Sequence, residues 1–163
     1  MTAGVAVRAA EPDDAERFAA VCRNAYADTA ALGFPMKGAE TTTEEAATWI
    51  ERDRVLVAER DGEVIGGVRL STETGEAIKL GRLAVHETAN GGGIGTALLD
   101  RAEAVAAEAG HDAIRLTTPP DHPFLADLYR DRGYQNVGDH PLDYREYDEI
   151  LLEKRVGKSA LRD

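Results

Sequence analysis

The run Asn90-Gly91-Gly92-Gly93-Ile94-Gly95-Thr96 stands between the apolar segment Leu83-Ala84-Val85 and a stretch with helical periodicity. A helix that opens there leaves its first amides without intrahelical partners, pointing outward at the positive end of the dipole. The glycines let an anionic group approach the main chain closely. Phosphate binding is the chemistry this arrangement suits, and two familiar phosphate loops do not fit it. The dinucleotide fingerprint needs glycines at its first, third and sixth places; from Gly91 the sixth is Thr96, and from Gly93 it is Leu98. No acidic residue closes a following strand about 20 residues on, where the chain reads Ala113-Ile114-Arg115-Leu116. The nucleotide P-loop needs a lysine after its glycines, and none follows.

The elements that must hold this loop can be read from period and punctuation. Val55-Leu56-Val57-Ala58 and Val64-Ile65-Gly66-Gly67-Val68 flank Asp61-Gly62, a pair that tolerates positive φ, so a hairpin is expected. A further strand, Ala77 to Val85, pairs with the second of these across the polar turn Thr72-Glu73-Thr74-Gly75. After the glycines, Leu98, Ala102, Val105 and Ala109 recur every three or four residues, and Gly110 supplies a stop. Strand, helix and strand in this order form a right-handed crossover, so Ala77 to Val85 and Ile114 to Thr118 should lie parallel. Pro119-Pro120-Asp121-His122-Pro123 ends the latter. Upstream, Asp13 and Glu16 have capping-box spacing for a first helix, whose apolar face carries Ala15, Phe18, Ala19, Cys22, Ala25 and Tyr26. Thr42 or Thr43, with Glu44 and Glu45, begins a second helix bearing Trp49 and Ile50. Thr29 through Ala39 reads as a loop and Tyr147 to Leu152 as a closing strand.

The pattern Q/R-x-x-G-x-G/A ahead of an amphipathic helix fits Asn90 to Gly95 at every place but the first, and it resembles the acyl-CoA pyrophosphate loop of the GNAT N-acyltransferase superfamily. Ile114 to Thr118 is similar to that family's fifth strand. Leu125 to Tyr134 resembles its short helix ending in an LYxxxGF signature, with Gly133-Tyr134 for Gly-Phe, and Val5 to Asp14 resembles its opening strand and helix entry. The resemblance implies an α/β (α+β) fold with a mixed central sheet of about six to seven strands and four helices, the fourth and fifth strands parallel and splayed. One domain would span residues 1–157, with a polar tail over 158–163.

The resemblance also implies acetyl-CoA as cosubstrate and assigns roles. The pantetheine arm would pair with main-chain groups of Leu83, Ala84 and Val85. The pyrophosphate would take amides of Gly91, Gly93, Gly95 and Thr96, with Asn90, Gly92 and Ile94 completing the loop. Asn90 stands where relatives have Gln or Arg. Tyr129 matches the family tyrosine that protonates the departing thiolate. Lys79 and Gly81 stand where many relatives place a glutamate base, which leaves Glu76, His86 and His122 as substitutes by location, or a water chain. A base matters because a lysine-like amine is neutral in about one molecule in a thousand at pH 7, a penalty of roughly 4–5 kcal/mol. Arg130 and Arg132 end the helix that borders the adenine in relatives, to meet the 3′-phosphate or to stabilise the helix terminus.

At 163 residues and 43% hydrophobic, the chain has the size and core content of one domain. It holds no run of about 18 apolar residues and no basic-then-apolar leader, so a cytoplasmic location is expected and membrane partners are not. A single cysteine, Cys22, excludes an internal disulfide and multi-thiolate metal sites, and His111 and His140 lack metal-ligand spacing; no metal is expected. The formal net charge of -11 disfavours nucleic-acid binding. It does not exclude CoA, since surface repulsion is screened beyond about 8 Å while loop amides act at contact. The expected activity is acetyl transfer to a primary amine of a small molecule or peptide, by direct attack in a ternary complex; a homodimer is compatible with the resemblance, since relatives are commonly dimers, but the sequence does not fix the oligomeric state. Competing readings are a noncatalytic acyl-CoA-binding or sensing module on the same scaffold, and an unrelated phosphate-ligand protein.

Overall fold

The computed structural model describes residues 4–31, 40–71, 77–89, 93–118, 125–140 and 149–156. In chain order these form β1 (Val5–Ala9), a one-turn 3-10 segment (Pro12–Asp14), α1 (Ala15–Ala31), α2 (Thr43–Arg52), β2 (Arg54–Arg60), β3 (Glu63–Ser71) and β4 (Ala77–Val85). A second 3-10 turn (Glu87–Ala89) leads to α3 (Ile94–Glu108), β5 (Ala113–Thr118), α4 (Leu125–Asp131), β6 (Gln135–His140) and β7 (Glu149–Arg155). The strands make one sheet in the order β1-β2-β3-β4-β5-β7-β6. Only β4 and β5 run parallel; every other neighbouring pair is antiparallel.

Alternate side chains of a strand face opposite sides, and here both sides are covered. Val55 and Val57 of β2 pack with Phe18, Cys22 and Trp49 under α1 and α2, while Leu56 and Ala58 join Leu98, Leu99 and Ala102 under α3. That double burial explains why the central strands read as near-continuous apolar runs. Gly66 and Gly67 of β3 show how close the helices come. A Cβ on Gly67 would lie 2.5 Å from the Phe18 ring, and one on Gly66 would lie 3.2 Å from Ile94 and Leu98. The adjacent glycines thus admit α1 on one face and α3 on the other.

Several expected local signals hold. Asp61 and Gly62 both have positive φ at the β2–β3 turn, 54° and 79°, and Gly110 ends α3 at φ 90°. Thr42 caps α2 with a capping box to Glu45. The first helix entry differs. The cap is Glu11, whose amide donates to Asp14 Oδ2 at 2.7 Å, not Asp13 with Glu16, because Pro12 starts a 3-10 turn and moves the cap two residues earlier. Asp14 is also held by Arg8, which keeps its carboxyl below the ordinary range. The closing strand runs to Arg155 rather than Leu152, and β6 was not anticipated. Its residues are mostly polar, with Val137 exposed, as suits a sheet edge whose outer face meets water. The expected tail, 158–163, lies outside the described residues.

Gly67→Ala is expected to destabilise the fold by about 1–3 kcal/mol, because the Phe18 ring and the Leu56 carbonyl leave no room for a methyl group. Gly81→Ala, which meets open space, should shift stability by less than about 0.5 kcal/mol. Urea denaturation of the two variants beside the parent checks the contrast.

Candidate active site

β4 and β5 are paired from Ala77↔Ala113 to Lys79↔Arg115 and no further, although β4 continues to Val85 and β5 to Thr118. The strands therefore diverge at Leu80 and Leu116, opening a gap in mid-sheet. The other edge of β4 stays bound to β3, but its register slips between Gly67↔Ala84 and Arg69↔Gly81. The extra residue is a bulge at Arg82, which adopts φ 55°. The hydrophobic pattern carries the same slip: Ile78 and Leu80 face α3, and so do Leu83 and Val85, three positions on rather than two. His86 donates its amide to Ile65 of β3, so by alternation Ala84 also faces β3, while Leu83 and Val85 turn their main-chain groups toward the gap. Unpaired interior amides and carbonyls need partners. Leu83 has one for its carbonyl, since the Tyr26 hydroxyl of α1 donates to it at 2.9 Å.

At the end of β4 the chain enters α3 through Gly93, which sits in the left-handed region at φ 77° with no side-chain cap on the helix. Ala97 makes the first intrahelical bond, to the Gly93 carbonyl, so the amides of Ile94, Gly95 and Thr96 precede the ladder. Positive φ and the helix N-terminus together form an anion-receptive corner beside the gap. A Cβ on Gly95 would meet Val85 Cγ2 at 3.9 Å, an ordinary contact. Asn90, Gly91 and Gly92 lie outside the described residues, as do the proposed bases Glu76 and His122.

On the α3 side of the sheet lies Tyr129, 6% exposed within the apolar cluster that includes Leu116, Tyr134 and Ile150. Its position follows from how α4 ends. Gly133, at φ 97°, donates to the Arg130 carbonyl, and Tyr134 donates its amide to the Tyr129 carbonyl at 3.1 Å. This is a Schellman ending, whose accompanying apolar contact is made by the rings of Tyr129 and Tyr134, edge to face at 5.6 Å. The Tyr-x-x-x-Gly-Tyr spacing in the sequence is the imprint of that turn. Tyr134 is anchored in turn by its hydroxyl, which donates to Glu103 of α3. The same carboxylate accepts from Lys154 at 2.8 Å and Arg132 at 3.2 Å. Burial pushes the Tyr129 phenol well above its ordinary value, so it keeps its proton near neutrality. Arg132 is committed to Asp100 and Glu103 rather than turned to a ligand, and Arg130 lies 3.8 Å from Asp127.

The opposite face holds groups that periodicity alone did not single out. The guanidinium groups of Arg69 and Arg82 lie 4.6 and 5.1 Å from the centre of the Trp49 ring. Arg69 is paired with Asp53 at 2.8 Å, whereas Arg82 Nε is buried without a hydrogen-bond partner. Cys22 lies beneath, fully buried, its thiol pushed up to about 12 by burial. This is the packed thiol expected of a lone cysteine on an apolar helix face. His86 is turned into its own local structure: Nδ1 lies 2.9 Å from Thr88 Oγ1 and 3.3 Å from the Thr88 amide. No cluster of three metal-ligating side chains exists among the described residues, and no helix among them is long and apolar enough to cross a membrane.

Residues 21–134 match the family model described as the acetyltransferase (GNAT) family. An IAA acetyltransferase from Azospirillum brasilense is 39% identical over 87 residues, 52% of this chain and 56% of that protein. A mycothiol acetyltransferase from Clavibacter sepedonicus is 29% identical over 138 residues, 84% of this chain and 45% of that protein. The chain thus spans about half the length of the curated relatives it matches. The crystal structure of the PaiA N-acetyltransferase from Thermoplasma acidophilum in complex with coenzyme A shares the fold at TM-score 0.78 and 21% identity, over 93% of this chain and 98% of that one.

With a thiol near 12 and no exposure, about one Cys22 in ten thousand is thiolate at pH 8. A colorimetric disulfide reagent should therefore leave native protein unmodified for hours at pH 8 and titrate one thiol within minutes in guanidinium.

Proposed function

From the premise that this chain belongs to the acetyltransferase (GNAT) family, we propose that it moves an acetyl group from acetyl-CoA to a primary amine by direct attack in a ternary complex. The observation that carries the reading is the parting of β4 from β5 beside an uncapped helix N-terminus. The gap presents main-chain groups of Leu83 and Val85 to an extended arm, which would bind as a short extra strand, with Ala84 fixing the bulged segment to β3. The pyrophosphate would rest on the loop Asn90 to Thr96, with Gly92 giving close approach and the amides of Gly91, Gly93, Gly95 and Thr96 donating. The whole acetyl-CoA molecule is the second substrate.

In the step itself the free amine nitrogen attacks the thioester carbonyl carbon. A main-chain amide of the bulged segment stabilises the oxyanion. As the tetrahedral intermediate collapses the carbon–sulfur bond breaks and Tyr129 gives its proton to the thiolate, while the excess proton on the attacking nitrogen passes through water to restore Tyr129 and leave a neutral amide. Tyr129 is a weak acid where it sits, yet a thiolate leaving into the same dry surroundings is a correspondingly strong base. The amine must shed a proton first; Glu76 and His122 are the side chains we assign to that task, through water where they do not reach directly. His86 suits it less, because Nδ1 is engaged with Thr88.

Tyr129→Phe should lower kcat by about 10- to 100-fold with little change in KM for acetyl-CoA, measured as thiol release with an amine panel. Gly93→Asp, which sets a carboxylate in the anion corner, should weaken acetyl-CoA binding by more than about tenfold by calorimetry, or about 1.4 kcal/mol. Protein that binds acetyl-CoA and liberates no CoA with any amine would instead be a noncatalytic acyl-CoA-binding module. Equal affinity for CoA, ATP and NAD would end the acyl-CoA reading altogether.

A further inference from the structure

Arg82 is a partly buried cation for which the described residues supply no acid; Arg60 is another, but among the described residues only Arg82 joins that lack to a buried Nε with no partner. The partly buried arginines Arg8, Arg69 and Arg132 each meet a carboxylate, at 2.7–2.8 Å. Arg82 is comparably buried and has no ion-pair partner among the described residues, and its Nε is shut off from water with nothing to donate to. Its contact with Trp49 at 5.1 Å is favourable, but a ring face neither accepts an in-plane hydrogen bond nor cancels the charge. A buried charged donor left unmet costs more than a neutral one, so a fold that retains it implies an anionic partner that arrives from outside. The backbone supports the same conclusion. Arg82 holds φ 55°, a strained conformation for a residue with a side chain, at the bulge against β3, three residues past the last β4–β5 pair. Such a bulge re-aims its side chain, here to the Trp49 face, opposite the cluster that holds Tyr129.

We propose that Arg82, beside Trp49, binds a carboxylate of the acceptor, so that the amine acetylated is one of the amino-acid class. The inference rests on the acetyltransferase reading and deepens it. The acceptor's acid group is held on the α1/α2 face, its amine meets the thioester in the gap, and the thiol departs toward Tyr129 on the other face.

Trp49 is the chain's one tryptophan, so its fluorescence reports on this place without turnover. The test titrates wild type, Arg82→Gln and Arg82→Lys with the proteinogenic L-amino acids and their C-terminal amides, and measures kcat/KM for each pair. Circular dichroism and acetyl-CoA calorimetry confirm that each variant is folded and binds donor. The expected result is a saturable Trp49 change with one or more free amino acids and weak response to the amides. Arg82→Gln should lower the acid-over-amide preference in kcat/KM by about a hundred-fold, chiefly through KM, and Arg82→Lys should restore part of it. The proposal is overturned if wild type takes acids and amides equally, if Arg82→Gln keeps the preference, or if no amino acid perturbs Trp49 in protein that binds acetyl-CoA. Should Arg82→Gln not fold, the wild-type titration and Arg82→Lys decide alone. Failure to bind acetyl-CoA at all would sink the parent reading instead, which separates the two.

Discussion

A sheet interior cannot hold main-chain amides and carbonyls without partners, and this sheet parts in its middle. Between Leu80 and Val85 one edge of β4 is bound to β3 while the other faces no strand. Each group on that free edge must meet a side chain, water or a ligand. Tyr26 answers one of them from α1. The rest define the gap, and much of the surrounding architecture serves to hold it open at fixed width. The bulge at Arg82 turns β4 away, and α1 and α3 clamp β3 from both faces through the room left by Gly66 and Gly67. A seven-stranded sheet with every edge closed would be more ordinary and would have no such opening.

The two faces of the parted sheet have different chemistry. The α3 side is apolar around Tyr129, and the polar groups there are tied into one network at Glu103, which accepts from Tyr134, Lys154 and Arg132. That network joins α3, the end of α4 and β7, so the phenol of Tyr129 is positioned by three elements rather than by its own short helix. Seven residues of helix have little intrinsic stability; the Schellman turn and the ring contact with Tyr134 supply what propensity does not. The α1/α2 side carries cations around Trp49, set above a dry floor of Cys22 and Phe18. An acyl donor held in the gap would therefore meet an apolar, proton-bearing face and a cationic one. On the proposed reading, the first would receive the departing thiol and the second the acid group of the acceptor.

The chain's acidity does not conflict with an anionic ligand. The formal net charge of -11 is spread over surface carboxylates, many of them engaged with arginines, whereas the described groups beside the gap include main-chain dipoles, the Tyr26 hydroxyl and the Arg82 guanidinium. At physiological ionic strength the distant charges are screened within about 8 Å, so contact groups decide what binds. The open N-terminus of α3 and the guanidinium of Arg82 are of that contact kind.

The sequence alone determined the local devices and the family resemblance. It carried the Asp61-Gly62 hairpin, the Thr42 cap, the Gly110 stop, the glycine entry to the third helix and the parallel crossover, because each depends on residues within one turn or one period of each other. It also carried the Tyr129 to Tyr134 spacing, whose physical content is a helix ending that needs glycine at one place and an apolar ring at the next. The entry to α1 was misread by two residues because Pro12 starts a 3-10 turn that shares the same acidic cluster. β6 escaped notice because an edge strand with one wet face has no apolar run to announce it. What only the tertiary structure decided was which side chains meet across elements. Tyr26 reaches Leu83 over 57 positions, Arg82 and Trp49 come from different elements, and Glu103 gathers partners from α4 and β7. The phase slip from Ile78 and Leu80 to Leu83 and Val85 did encode the bulge. Whether the residue at that slip ends in water or in an unpaired interior depends on packing, and packing is set by the whole fold.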